Sequence, residues 1–263
     1  MKKQYTLHLI FFLIMVLLMA SCTQVVKETT IPITSDSEAS LDLYQQGMVA
    51  MEDVYLGKAQ ELFKKALSEN PDFFMAAYRL ASLNLYFGNE EKFTEFSEIA
   101  LKSSAELSNG ELLMQSMLKR YKDDRNADVT DLTSQLIDLY PDDEESYFHM
   151  AFAQVIIEDY QGAVETYEKV LQVTDNPASV YNILGYTYMN LEQFDKARNV
   201  FDKYLELEPD LPNPYDSKGD FYMGIKEYGN AYESFMKAYE IDSTWSYKKA
   251  MYAKAMQDSL EVK

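Results

Sequence analysis

The sequence predicts an all-α fold, a solenoid of about six helical hairpins closed by a C-terminal capping helix. Three observations carry that expectation. Prolines recur at Pro71, Pro141 and Pro209, 70 and 68 residues apart, which is twice a period near 34. Small residues return at fixed places within the period, as Gly47, Ala59 and Ala66 do in the first unit. Large side chains return between them, Phe63 in the first unit and Phe201 and Phe235 further on. Self-similarity at such a period marks stacked units, none of which can bury its apolar face alone.

The N-terminal residues stand apart from the repeat. Lys2 and Lys3 precede an apolar run from Leu7 to Met19, broken only by His8, and then Ala20-Ser21-Cys22. This is the layout of a signal peptide over residues 1–21, too short to span a bilayer and followed by a polar stretch. Cys22 is the only cysteine, so it has no partner for an internal disulfide. The segment resembles the bacterial lipobox, in which the cysteine becomes the acylated N-terminus. The resemblance implies lipidation (palmitate) at Cys22 and a durable anchor once several acyl chains are present. Secretion with cleavage near Ser21 is the alternative these residues leave open. Residues 22–39 are rich in Thr and Ser without helical periodicity and read as a flexible tether, able to reach roughly 55 Å when stretched.

From residue 40 the units begin near 40, 74, 110, 144, 178 and 212, and the solenoid is expected over 40–245. With Pro71 as position 32, Gly47 stands at position 8, Ala59 at 20, Phe63 at 24 and Ala66 at 27. The fifth unit repeats this with Tyr181, Leu184, Gly185, Tyr188, Ala197, Phe201 and Pro209, and the sixth with Tyr215, Gly219, Tyr222, Ala231, Phe235 and Ala238. The fourth has Tyr147, Met150, Ala151, Ala163 and Tyr167. The second keeps Leu80, Ala81 and Ala100 but puts Phe93 at position 20, where a small residue is expected. The third, after an insertion near Ser108 and Asn109, carries Val129 and Thr133 at positions 20 and 24. Small residues are needed where two antiparallel helices cross closely, and proline at position 32 ends the second helix of the first, third and fifth units. Residues 246–263 read as a capping helix and tail, with Ala253 at position 8 of an unfinished unit and Lys248, Lys249 and Lys254 available to face water.

These positions resemble the tetratricopeptide-repeat family over roughly residues 40–257. The resemblance implies a right-handed superhelix whose concave face, lined by positions 2, 5, 9, 12 and 13 of each first helix, binds a partner. Carried over position by position, it points to Tyr44, Met48, Tyr78, Tyr86, Met114, Tyr121, Phe148, Phe152, Asn182, Tyr186, Met189, Asp216 and Asp220 as a partner-binding groove, apolar and aromatic in the middle and acidic towards the C-terminus. Aromatic and Met residues at helical spacing are also the ordinary material of a core.

Candidates for chemistry are few. His149 is the one histidine beyond the signal peptide and reads as a core residue, and the sequence has no glycine-rich phosphate loop. Asp142-Asp143-Glu144-Glu145 reads as a helix start, where carboxylates meet free backbone amides. No enzyme activity, catalytic residue, metal site or cofactor is therefore expected. The formal net charge of −19 argues against nucleic acid, which clustered Lys and Arg would have to bind. The expected function is a membrane-anchored scaffold for protein–protein interaction in the bacterial cell envelope, on the outer membrane more readily than the inner. Its partner is expected to present apolar anchors flanked by basic residues. The alternative is an oligosaccharide-binding lipoprotein that uses the same aromatic groove.

Overall fold

The structure, a computed structural model, describes residues 29–261. The signal peptide and Cys22 lie outside the described residues. Among those residues there are thirteen α-helices and no strand. Six hairpins follow one another: α1 (Glu38–Glu52) with α2 (Leu56–Glu69), α3 (Phe74–Tyr86) with α4 (Glu90–Lys102), and α5 (Asn109–Asp123) with α6 (Thr130–Leu139). Then come α7 (Glu144–Ile156) with α8 (Tyr160–Val173), α9 (Pro177–Asn190) with α10 (Phe194–Leu207), and α11 (Pro212–Gly224) with α12 (Tyr228–Ile241). A thirteenth helix, α13 (Tyr247–Glu261), stacks on α12 and buries Ala250 and Ala253 against Ala231 and Phe235. The chain is an all-α repeat solenoid.

Local chemistry sets the helix boundaries. Ser37, Asn89, Asp143, Asp159 and Asn176 each accept from an amide of the following first turn, and Pro177 and Pro212 open their helices, where a missing N–H costs nothing. Ser108 and Glu111 form a reciprocal capping box at the start of α5. Inside five of the six hairpins the turn is three residues long, and position 15 of the unit is left-handed: Val54, Gly88, Glu158, Glu192 and Lys226 have φ of 62°, 66°, 60°, 56° and 65°. Only one of these is the glycine that this region favours. The third hairpin instead uses residues 124–129, and its Asp124 is extended.

Packing within a hairpin explains the repeating positions. At Gly47, Gly185 and Gly219, position 8 of the first, fifth and sixth units, an added Cβ would fall under 3.0 Å from the ring of Phe63, Phe201 or Phe235, the position-24 residue of the same hairpin. The ring therefore lies directly on the backbone of the facing helix. Each such ring is almost wholly removed from water, a contribution of about 1.5–3 kcal/mol. The second unit exchanges the volumes within its second helix, with Phe93 at position 20 and Ser97 at position 24 both buried. The third exchanges them between helices, with Met117 at position 8 and Val129 and Thr133 at positions 20 and 24, all buried.

Besides the contacts that Tyr78 and Arg79 make with the fourth unit, two contacts join distant parts of the chain. The first corrects the tether, because residues 31–35 are bound to the body rather than loose. Ile31 is 7% exposed and belongs to the same apolar core as Tyr140. Thr34 bonds Glu111, and Asn70 lies 3.5 Å from the Ser35 hydroxyl. A branched apolar residue and two hydroxyl residues supply these contacts, although nothing in that stretch is periodic. The second contact joins the ends. Tyr55, in the turn of the first hairpin, packs edge-on against Trp245 before α13, with ring centroids 5.9 Å apart.

Candidate partner-binding surface

The first helices place their position-5 residues side by side, and this closes much of the expected groove. Tyr44, Tyr78, Met114, Tyr121, Asn182 and Asp216 are buried, while Met48, Phe148, Phe152, Tyr186, Met189 and Asp220 are half-buried. Tyr86 alone among the expected groove residues is exposed, at 64%. For the six buried residues the expectation of an open lining is corrected: they are packing.

A polar chain fills the N-terminal part. Arg79 donates from Nε to the Tyr44 hydroxyl at 3.2 Å and pairs with Glu145 at 2.8 Å, linking the first, second and fourth units. His149 Nε2 lies 3.2 Å from the same Glu145 carboxylate without the alignment of a hydrogen bond. Its Nδ1 is 3.3 Å from the Tyr78 hydroxyl. Burial opposes the Glu145 charge, but Arg79 and His149 more than offset it and hold the carboxyl below its usual range. Burial pushes His149 down to about 4 against the attraction of Glu145, so the imidazole is neutral at pH 7. Burial likewise raises the Tyr44 and Tyr78 phenols, with Arg79 opposing. Asp143 and Glu145 thus do more than open a helix. One sequence signal pointed here: Arg79 is the only charged residue in the apolar helix α3, and a buried guanidinium requires a carboxylate.

The C-terminal part is closed by polar bonds between units. Asn182 donates to Asn213 at 3.2 Å and accepts from Ser217 at 2.8 Å, and Tyr204 donates to Asn213 at 2.8 Å. The Tyr186 hydroxyl donates to Asp220 at 3.1 Å. Lys249 of α13 bonds Asp216 at 2.8 Å and both oxygens of Asp220 at 3.0 and 2.8 Å, and Ser246 also donates to Asp216. Burial raises the Asp220 pKa, with Lys249 opposing. The acidic end is therefore already matched by this chain's own lysine. Lys249, expected to face water, is engaged in that match.

What stays open is aromatic. Tyr86 and Phe87, at the C-terminal end of α3, meet edge to face with centroids 5.2 Å apart, and Phe87 is 53% exposed. Tyr86 lies near enough to Tyr167 to add to the rise that burial causes in that phenol's pKa, and Tyr167 packs on Phe148 at 6.2 Å. Phe152 meets Tyr121 at 6.2 Å. Phe87 lay outside the expected set because it follows the last groove position of its helix. Among the described residues no group of three or more His, Cys, Asp or Glu side chains is arranged to hold a metal.

A family model described as tetratricopeptide repeat matches residues 178–211 and 213–244, the fifth and sixth hairpins. Among solved structures the chain is similar to MamA, residues 41 to the end, from Desulfovibrio magneticus RS-1. Identity is 18%, coverage 60% of this chain and 90% of that one, and the TM-score 0.48. It is also similar to TTC0263, a thermophilic TPR protein of Thermus thermophilus, with 19% identity, 86% and 100% coverage and a TM-score of 0.47. A third is YrrB, described as a TPR protein with an unusual peptide-binding site, with 18% identity, 73% and 97% coverage and a TM-score of 0.45. At these scores no residue's role passes from them to this chain. No curated protein matches the sequence.

Proposed function

We propose that this chain, a tetratricopeptide-repeat protein, is a lipid-anchored scaffold of the bacterial cell envelope that holds a protein partner and catalyses no reaction of its own. The observation that carries the binding part is the exposed pair Tyr86 and Phe87. Two adjacent rings held in fixed geometry on a helix end are the kind of rigid aromatic anchor that dominates interface energies. Half-buried Phe148, Phe152, Tyr186 and Met189 extend the apolar surface available to a partner segment. A chain with formal net charge −19 favours a segment carrying Lys or Arg beside its apolar anchors. The acidic residues that meet them lie outside the Asp216–Asp220 pair, which Lys249 occupies.

The anchoring part rests on Ala20-Ser21-Cys22 after the apolar run, with acylation at Cys22 and the body outside the cytoplasm, on the outer membrane. Among the described residues no helix is long and apolar enough to cross a membrane. One experiment addresses both parts. Full-length chain is expected in the membrane fraction and Cys22→Ala in the soluble fraction. A partner co-purified from the envelope is expected to bind Tyr86→Ala/Phe87→Ala roughly 30-fold more weakly, about 2 kcal/mol, with unchanged circular dichroism. Soluble, unacylated wild type removes the anchor, and unchanged affinity removes this surface.

A further inference from the structure

The N-terminal arm is held on the body the way a receptor holds an extended peptide. We infer that the slot it fills, at the junction of the third and fourth hairpins, is a binding site for extended protein segments that the chain keeps occupied with its own residues 31–34. The inference rests on the reading of this protein as a holder of other proteins. It concerns a different surface, at the N-terminal ends of α5 and α7, whereas Tyr86 ends α3.

Main-chain groups make three of the contacts. The Ile31 N–H donates to Asp143 Oδ2 at 2.6 Å, and the Pro32 carbonyl accepts from the Ser108 hydroxyl at 2.9 Å. Thr34 donates its N–H to Glu111 Oε1 at 2.9 Å and its hydroxyl to Oε2 at 2.8 Å. The Ile31 side chain is seated over Gly110 and Tyr140. A Cβ on Gly110 would lie 2.7 Å from Ile31 Cγ2 and 3.1 Å from Tyr140, so glycine leaves the room that the isoleucine takes. Ile33 between them is 37% exposed and contributes no specificity. The site therefore selects a branched aliphatic residue and, three residues later, Thr or Ser, with the two residues between them engaged at most through the main chain.

The receiving groups are set in place by helix caps and not by the arm. Asp143 is the cap of α7, with Oδ1 already engaged by the Glu145 N–H at 3.0 Å and Oδ2 left for the occupant. Ser108 and Glu111 fix each other through the capping box. Glu111 is fully buried, and of the three hydrogen bonds to its carboxylate one comes from the Ser108 N–H and two from Thr34. A buried carboxylate that depends on an arm for most of its donors demands an occupant able to give an amide and a hydroxyl. A preorganised site of this kind accepts the same chemistry from any chain. The resident segment holds it by proximity: short linkage through residues 35–37 to α1 gives an effective concentration in the millimolar range. It buries only one large apolar side chain, Ile31.

The test uses a labelled peptide with the sequence of residues 29–37 and the full chain. The chain carrying Ile31→Ser, whose own arm is weakened, is expected to bind the peptide at least about tenfold more tightly than wild type, in which the arm competes. A peptide with Ile31→Asp or Thr34→Val is expected to bind at least about tenfold more weakly than the native one. Tyr86→Ala/Phe87→Ala placed in the Ile31→Ser chain is expected to leave peptide binding unchanged, which separates this site from the aromatic surface. No binding to a folded Ile31→Ser chain at millimolar peptide overturns the inference. If Ile31→Ser does not fold, hydrogen exchange in wild type decides: amides of Ile31 and Thr34 exchanging faster than those buried in α5 and α7 support it, and equal protection overturns it.

Discussion

The fifth and third hairpins face the same packing problem and solve it from opposite sides. In the fifth, Gly185 yields its whole side-chain volume to Phe201, and Ala197 lets the helices approach. In the third, Met117 stands where that glycine would be and Thr133 where the phenylalanine would be. What the fold requires is the summed volume across the crossing, not which helix supplies it. The third hairpin is irregular in other respects as well. Its turn is six residues long, its second helix only ten, and a cleft of about 480 Å³ lies between α5 and α6, lined by Leu112, Leu113 and Leu139. The arm is bound at the start of α5 and just beyond the end of α6, and the Arg79–Glu145 pair ties the fourth unit to the second. The fifth hairpin is held by its own crossing, whereas the third also receives contacts from a distant segment of the chain.

If that contrast is right, the largest loss comes from the distant contacts. Arg79→Met is expected to cost about 3 kcal/mol in urea denaturation, because Glu145, half-buried, is left charged without its partner, and Arg79→Met/Glu145→Leu is expected to recover most of it. A loss below about 1 kcal/mol would show the pair to be incidental. Next is the transplant of the third hairpin's solution into the fifth. Gly185→Met alone is expected to cost about 3 kcal/mol through overpacking against Phe201. Adding Phe201→Thr is expected to restore about 1–2 kcal/mol of that as coupling, and strict additivity would break the volume argument.

A smaller effect sits in the polar chain. The His149 pKa is lowered to about 4 from 6.5, so the unfolded chain takes up this proton first and stability falls as pH drops from 6.5 through 4. On the order of 2 kcal/mol is expected, partly offset by Asp143 and Glu144, whose pKa values burial raises. Urea midpoints at pH 7 and pH 4.5 should differ less for His149→Gln than for wild type, and an identical difference would assign the acid sensitivity elsewhere. The smallest effect is a gain. Val54 is β-branched and left-handed, and Val54→Gly is expected to raise stability by about 1 kcal/mol, whereas glycine at Asp124, where the turn is extended, is expected to give no gain.

The repeat was readable because its constraints are local and return every 34 residues. The first helices begin at Glu38, Phe74, Asn109, Glu144, Pro177 and Pro212, each within two residues of the expected unit start. The left-handed turns at position 15 were not readable, since Val54, Glu158, Glu192 and Lys226 share no residue type that asks for that conformation. Openness of the concave face depends on small rotations summed over several units, and no single residue records that sum. Tyr44 and Tyr78 therefore looked like a lining and are packing. The docked arm was hidden for a different reason: one isoleucine and one threonine carry it, without periodicity, against partners 112 and 77 residues away.

The contact between Tyr55 and Trp245 bears on how such a chain can evolve. Repeat arrays ordinarily gain or lose whole units with little penalty, because each touches only its neighbours. Here the turn of the first hairpin meets the segment before the last helix, so a duplicated or deleted hairpin would carry the two rings out of register by a full step of the superhelix. The number of hairpins is then itself a selected trait, and homologues with one unit more or fewer are expected to have lost the aromatic residue at one or both of these positions.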